Sequence, residues 1–405
     1  MKVVAIISEY NPFHNGHEYQ IKKVRELLGE DTAVIAIMSG NFTQRGELAV
    51  TDKTIRAKAA VLCGVNLVLE LPFPFCMSSA EFFAKSGVKI ADKIGIVDYL
   101  VFGSENGDVS ELSDIAAISS GEEYKLTLDA LTQDGQYKDY GYPELCQIAL
   151  SKVYGKVIPR DFLGPNNILA IEYIKALKAI GSSIIPFAIR REGAGYLDII
   201  NPMQPFQSAG AIREELASGN ISALDYIPEN AKNVFMHAIN EGKMPSDISR
   251  LDYSVISSFR LNSLTADIDI QDATGGLYNR LCDASADATS IHSLTAMAET
   301  KKYTKARIRR AIWNSFFGVT SSEVKSLPSY TQVLAMDSIG RSLLKKIKKS
   351  SCFPVITKPS SYKELGYDVV RQKELSGKAD SIFGLALKNP NSGRFSLTFT
   401  PYVKD

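Results

Sequence analysis

Histidine is scarce in this chain, four in 405 residues, and tryptophan occurs once. The five cysteines, at 63, 76, 146, 282 and 352, show no paired close spacing, which argues against a disulfide framework and a cysteine-based zinc site. No apolar run approaches the length of a bilayer span. The first residues hold one lysine and then a strand-like segment with Glu9 close behind, so they lack the regions of a secretory signal. A cytoplasmic protein with no membrane partner is expected. No internal repeat or low-complexity stretch is visible. Overall charge is also nearly absent, at +1.

What is present is size and apolar content. A chain of 405 residues exceeds the roughly 250 to 300 at which single cores stop growing, and 45% hydrophobic residues support well-packed cores. The near-zero net charge also hides an asymmetry. Of 46 Lys or Arg and 45 Asp or Glu, residues 300 to 349 hold twelve basic against only Glu323 and Asp337, leaving 34 basic and 43 acidic elsewhere. Lys301, Lys302, Lys305, Arg307, Arg309 and Arg310 form one cluster with Tyr303 and Trp313 among them, and Lys345, Lys346, Lys348 and Lys349 form another. Cations interleaved with aromatic faces suit a phosphate backbone and unstacked bases, so RNA contact is expected; a solvated helix face is the plain alternative.

The run Val3 to Ile7 is short and β-branched, as in a buried parallel strand. Further strands are predicted at Thr32–Met38, Asn66–Leu71, Tyr99–Phe102 and Ile184–Ile189, with helices at Lys53–Leu62 and Ser78–Ile90 between them. This alternation predicts an α/β fold with a Rossmann-like, doubly wound parallel sheet over residues 1–217. A helical insertion is expected at about 106–180, and residues 218–405 read as a mainly helical, basic, RNA-binding region, with short strands near Gln332–Ala335 and Pro354–Ile356.

Just past the first strand stands Asn11-Pro12-Phe13-His14-Asn15-Gly16-His17. His14 and His17, three apart at a strand-to-helix junction, can aim two donors at one point, and a helix start there offers backbone N–H groups to an anion. Phosphate is the expected guest, with both histidines stabilising charge that builds during displacement at an α-phosphate. Gly16 is read as admitting a nucleotide close to the backbone and Pro12 as fixing the turn. His237 and His292 lack such a setting and read as structural. Gly103 and Arg190 to Arg191 are predicted on the same rim, at strand ends, and Ser208 to Arg213 opens a helix that resembles a second phosphate clamp.

These blocks resemble the H-x-G-H nucleotidyltransferase superfamily, and within it the bacterial tRNA(Met) cytidine acetate ligase family. The resemblance rests on Glu9 to His17, Ser39-Gly40-Asn41-Phe42-Thr43-Gln44-Arg45-Gly46, Leu69-Glu70-Leu71-Pro72-Phe73, Gly164 to Leu169 and Tyr303 to Arg307, and covers most of the chain. It implies that acetate and ATP form acetyl-adenylate, whose acetyl group passes to the exocyclic amine of the wobble cytidine of elongator tRNA(Met). It also implies an ATP site formed by Ile7, Ser8, Glu9, Tyr10, Asn11, Pro12, Phe13, His14, Asn15, Gly16, His17, Glu18, Tyr19 and Gln20, with Gly103, Asn167, Arg190 and the adjacent Arg191. The clamp helix supplies Ser208 and Arg213; Gly210 stands where a small hydroxyl residue would be expected. Magnesium is expected with the triphosphate.

The residues alone give a nucleotide, an α-phosphate and RNA; acetate and cytidine come from the resemblance. Two other readings stay open at this point. A small-molecule adenylyl- or cytidylyltransferase would use the same chemistry but is commonly a single sheet domain. A non-catalytic RNA-binding protein on a relict nucleotide-binding fold would not need His14, His17, Arg190 and Arg213 together. An aminoacyl-tRNA synthetase is disfavoured, since no lysine-rich K-M-S-K-S-like loop follows the sheet.

Overall fold

The computed structural model describes residues 1–138, 140–191, 206–262 and 269–404. Five strands, β1 Val3–Ser8, β2 Ala33–Ser39, β3 Leu67–Leu71, β4 Tyr99–Ser104 and β5 Ile185–Arg190, lie parallel in the order β5-β4-β1-β2-β3. All seven residues of β2 and all five of β3 are buried, because helices cover both faces and a strand so placed has no polar side. Chain order reverses between β1 and β4. Such a switch point leaves a crevice beyond the carboxyl ends of the strands, here directly above Ser8.

The helices follow the predicted alternation: α1 Asn15–Leu28, α2 Lys53–Leu62 and α3 Ala80–Lys93 in the first half, then α4 Val109–Ser120, α5 Glu122–Gln133, α6 Tyr142–Tyr154 and α7 Pro165–Ala179 between β4 and β5. The expected insertion at 106–180 divides in two. α5 and α6 pack on each other around Leu128, Leu131, Leu145 and Ala149, whereas α7 buries Ala170, Ile174 and Leu177 against the sheet as the crossover helix of an ordinary βαβ unit. Beyond β5 come α8 Ala209–Ala217, α9 Glu229–Asn240, α10 Asp252–Asn262, α11 Leu277–Ser285, α12 Ile291–Ala298, α13 Lys305–Phe317, α14 Ser321–Lys325, α15 Ser338–Ser350 and α16 Tyr367–Leu385. One core layer holds residues of α3, α7 and α15, the other residues of α1, α2, α8 and α9.

The sheet does not stop at residue 217. β6 Thr331–Met336 pairs antiparallel with β3, and β7 Val355–Ile356 and β8 Tyr402–Val403 pair parallel with β6. The sheet is therefore mixed: its five-strand parallel part is as expected, and β6 covers the β3 edge that would otherwise offer unpaired backbone groups. A buried ionic lock fastens the same edge. Lys53 of α2 meets Glu70 of β3 at 2.5 Å and Asp380 of α16 at 2.6 Å, and Asn41 donates to Asp380 at 2.9 Å. Two carboxylates hold the Lys53 ammonium charged against the opposing effect of burial.

Candidate nucleotide site and its basic neighbours

After Ser8 the backbone turns sharply, with Tyr10 at φ 45° and its ring buried against Phe13 and His17. Two contacts hold the turn from outside: Val50 N–H donates to Asn11 Oδ1 at 2.7 Å, and the Arg213 guanidinium donates to the Asn11 carbonyl at 2.9 Å. α1 then starts on a reciprocal cap. His14 Nδ1 accepts from Gly16 N–H at 3.1 Å, while His17 Nδ1 accepts from His14 N–H at 3.2 Å. An imidazole nitrogen that accepts a backbone hydrogen cannot carry its own, so both neutral rings bear their proton on Nε2. The cap thus fixes the tautomer and frees two N–H donors, on rings whose centroids lie 3.8 Å apart.

Gly16 serves this cap. A Cβ there would meet His14 Cε1 at 2.9 Å and Nδ1 at 3.1 Å, so the space read from sequence as room for a nucleotide is filled by the His14 ring. Burial, then the charges of Arg191 and Arg213, push the His14 imidazole down to about 3. Burial, His14 and Arg191 hold His17 well below the ordinary histidine range. The pair is neutral at physiological pH and sits in a positive field. An anion entering the crevice meets two neutral donors at a helix start, backed by arginine.

Of the predicted ATP segment, Ile7, Tyr10 and Phe13 are core residues, and Asn11 holds the loop that carries Val50. Glu9 is half-buried and accepts from Gln44 N–H at 2.8 Å; desolvation raises its carboxyl above the usual range. Ser8 is half-buried at the end of β1, and Asn15, Glu18, Tyr19 and Gln20 are half-buried along the start of α1, with Tyr19 against Phe206.

On the far side of the crevice, Glu105 accepts from Asn166 N–H at 3.1 Å and Asn167 N–H at 2.7 Å, capping α7. Asn167 is fully buried: Oδ1 accepts from Ser104 Oγ at 2.8 Å and Glu105 N–H at 3.0 Å, and its amide donates to the Phe162 carbonyl at 2.9 Å. Gly103 and Asn167 therefore belong to one joint between β4 and α7. Arg190 and Arg191 diverge. Arg190 is the last residue of β5 and packs on Gly107, whereas Arg191 lies over Gly103 and is the one whose charge reaches both histidines.

Ser208 Oγ caps α8 by accepting from Ala211 N–H at 3.1 Å, and Arg213 one turn later reaches both Asn11 and, at 3.3 Å, Glu47. Glu47 also pairs with Arg309 of α13. It joins the clamp helix to the basic helix, and no motif in the sequence marks it. Arg56 is a second residue that the motifs miss: fully buried, it donates to the carbonyls of Glu9, Ser39, Gly40 and Thr51 and ties three loops of the rim together. A signal for it exists, since Lys53 and Arg56 are one turn apart on the apolar face of α2.

The two basic clusters differ in where their charges go. Arg310 is buried, its side chain only 9% exposed, and grips Asp272 with Nε at 2.9 Å and Nη2 at 3.1 Å. Arg307 donates to the Asp272 and Thr274 carbonyls and lies over the Tyr303 ring, as does Lys302. Trp313 is buried, donating to the Gly46 carbonyl at 3.1 Å. Lys301, Lys302 and Lys305 remain exposed. On α15, Leu343, Leu344 and Ile347 face the core while Arg341, Lys345, Lys346, Lys348 and Lys349 are all exposed.

The HIGH nucleotidyl transferase family matches residues 1–396. The chain is 35% identical to the tRNA(Met) cytidine acetate ligase of Acetivibrio thermocellus, over 100% of this chain and 99% of the relative. It is 37% identical to that of Caldanaerobacter subterraneus subsp. tengcongensis, over the full length of both. The chain belongs to this ligase family. Among solved structures, Thermotoga maritima TmcAL bound with alpha-thio ATP superposes with a TM-score of 0.88 at 30% identity, over 100% of this chain and 99% of that one. The apo form of the same protein gives 0.90. Among the described residues, no helix is long and apolar enough to cross a membrane.

Proposed function

We propose that this family member joins acetate to the exocyclic amine of the wobble cytidine of elongator tRNA(Met) at the expense of ATP. The observation that carries the reading is the reciprocal His14–His17 cap at the switch-point crevice, flanked by Arg191 and Arg213. An acetate oxygen attacks the α-phosphorus of ATP, and the bond to pyrophosphate breaks. The Nε2–H groups of His14 and His17 donate to the oxygens on which charge accumulates, and Arg191 and Arg213 offset the remaining charge. The cytidine amine then attacks the acetyl carbon, loses a proton, and AMP leaves. Residues 1–217 hold the ATP, and basic residues beyond 218 hold the RNA, Lys301, Lys302 and Lys305 foremost. No group of three or more His, Cys, Asp or Glu able to hold a metal occurs among the described residues, so magnesium would arrive on the phosphates.

The test is acetate-dependent exchange of pyrophosphate into ATP. His14→Ala and His17→Ala should each lower it about 10²- to 10³-fold with the fold intact, the usual cost of one transition-state donor. Wild-type exchange in either variant would overturn the assignment. Incubation with labelled acetate, ATP and unmodified tRNA(Met) should place label in cytidine; label in an adenylated small molecule would favour a nucleotidyltransferase.

A further inference from the structure

A cavity of about 380 Å³ opens where the Gly46–Val50 loop, α8, α12 and α13 meet. Its lining is apolar at Leu48 and Ile291, and it also includes the exposed His292 and Ala296 and the partly exposed Arg213 and Arg309. His292, whose sequence setting reads as structural, is exposed here. Arg213 belongs to both places at once: one nitrogen touches the Asn11 carbonyl of the histidine turn and another reaches Glu47 at the cavity. The volume sits at the small end of ligand sites, suited to a single nucleoside and not to a stem.

We infer that this cavity receives the extruded base of the acceptor cytidine, an inference that rests on the function proposed above. Enzymes that modify a base take it out of the stack and into a pocket with apolar walls and edge-reading polar groups. Glu47 and Arg309, side by side, present an acceptor and a donor. A cytosine edge offers the matching N4 donor and N3 acceptor, whereas uracil would set its O4 acceptor against the carboxylate. Of the two N4 hydrogens, one is held by Glu47 and the other leaves as the amine attacks. The cationic lining takes the flanking phosphates, and the shared Arg213 places the base next to the activated acetyl group.

Ala296 is exposed and lines the cavity without belonging to the ATP site, so Ala296→Trp fills the space from outside the core. The probe is an anticodon stem-loop of tRNA(Met) with an unmodified wobble cytidine. The expected result is wild-type acetate-dependent pyrophosphate exchange with acetyl transfer reduced at least about tenfold in kcat/KM, and near-wild-type transfer in Ala296→Ser. Undiminished transfer in Ala296→Trp overturns the pocket. So does a raised KM for acetate or lost exchange, either of which would make the cavity part of the activation site. Absence of acetate-dependent exchange in the wild type would instead overturn the proposed function, so the two failures are distinguishable.

Discussion

Helices α13 and α15 are both rich in lysine and arginine, yet the fold uses them in opposite ways. α13 turns its arginines inward: Arg310 grips Asp272, and Arg309 meets Glu47 beside the crevice. α15 leaves its cations outside, over a narrow apolar stripe. The difference is side-chain type and partner. An arginine fork beside a carboxylate satisfies its donors when buried, whereas four lysines with no acid among them have only water to face. Charge density along a sequence locates a basic region without saying which charges are spoken for.

The largest expected effect separates the two helices by stability. Arg310→Ala strands the Asp272 carboxylate and should cost about 3 kcal/mol in urea unfolding, while Lys345→Ala should change nothing measurable. Equal losses, or none, would erase the distinction. Next comes RNA affinity. Neutralising Lys345, Lys346, Lys348 and Lys349 together should leave stability intact, and if α15 touches the tRNA, the slope of log affinity against log salt falls by up to about 0.9 for each phosphate no longer neutralised. Neutralising Lys301, Lys302, Arg309 and Arg310 should weaken tRNA binding too, but with a loss of stability from Arg310 that must be measured beside it.

Smaller is the effect of Arg309→Ala. It releases Glu47 and loosens Arg213, a half-exposed pair of about 1 kcal/mol, so KM for ATP should rise roughly fivefold. An unchanged KM for ATP would confine Arg309 to the cavity and the RNA, and break its link to the histidine turn through Glu47 and Arg213. Smallest is a pH effect. His14 and His17 stay neutral in the folded chain, so kcat/KM for ATP should show no imidazole limb between pH 6 and 8. Once unfolded, the same imidazoles titrate near 6.5; below that pH the unfolded chain takes up protons that the folded one refuses, His14 until about 3 and His17 also well below the ordinary range, so stability should decline on acidification below 6.5. His14→Ala should flatten part of the decline.

Much of the fold is legible in neighbouring residues, and the parts that are not have a common cause. Strands β1 to β5 announce themselves as short apolar runs, β-branched in β1, and α2 has the predicted limits Lys53–Leu62. β6 matches the strand expected near Gln332–Ala335, but its place on the β3 edge depends on a pairing more than 260 residues away in sequence, as does the Thr331 hydroxyl on the Glu70 carbonyl. Arg190 and Arg191 are equivalent as sequence, but Arg190 ends β5, whereas Arg191 lies one residue past it, where its N–H bonds the Ser104 carbonyl at 2.9 Å and its side chain lies over Gly103.

By itself the sequence determined the parallel sheet, the H-x-G-H turn at its carboxyl rim and the presence of a basic region, since each is written in neighbouring residues: short apolar runs, two histidines a helical turn apart, clustered cations. Only the tertiary structure decided the neutral state of those histidines, the choice of Arg191 to face them, and the carboxylates that Arg309 and Arg310 meet. These depend on partners brought from distant positions, Glu47, Asp272 and the β4 edge, and a side chain's protonation and direction follow from what is packed against it.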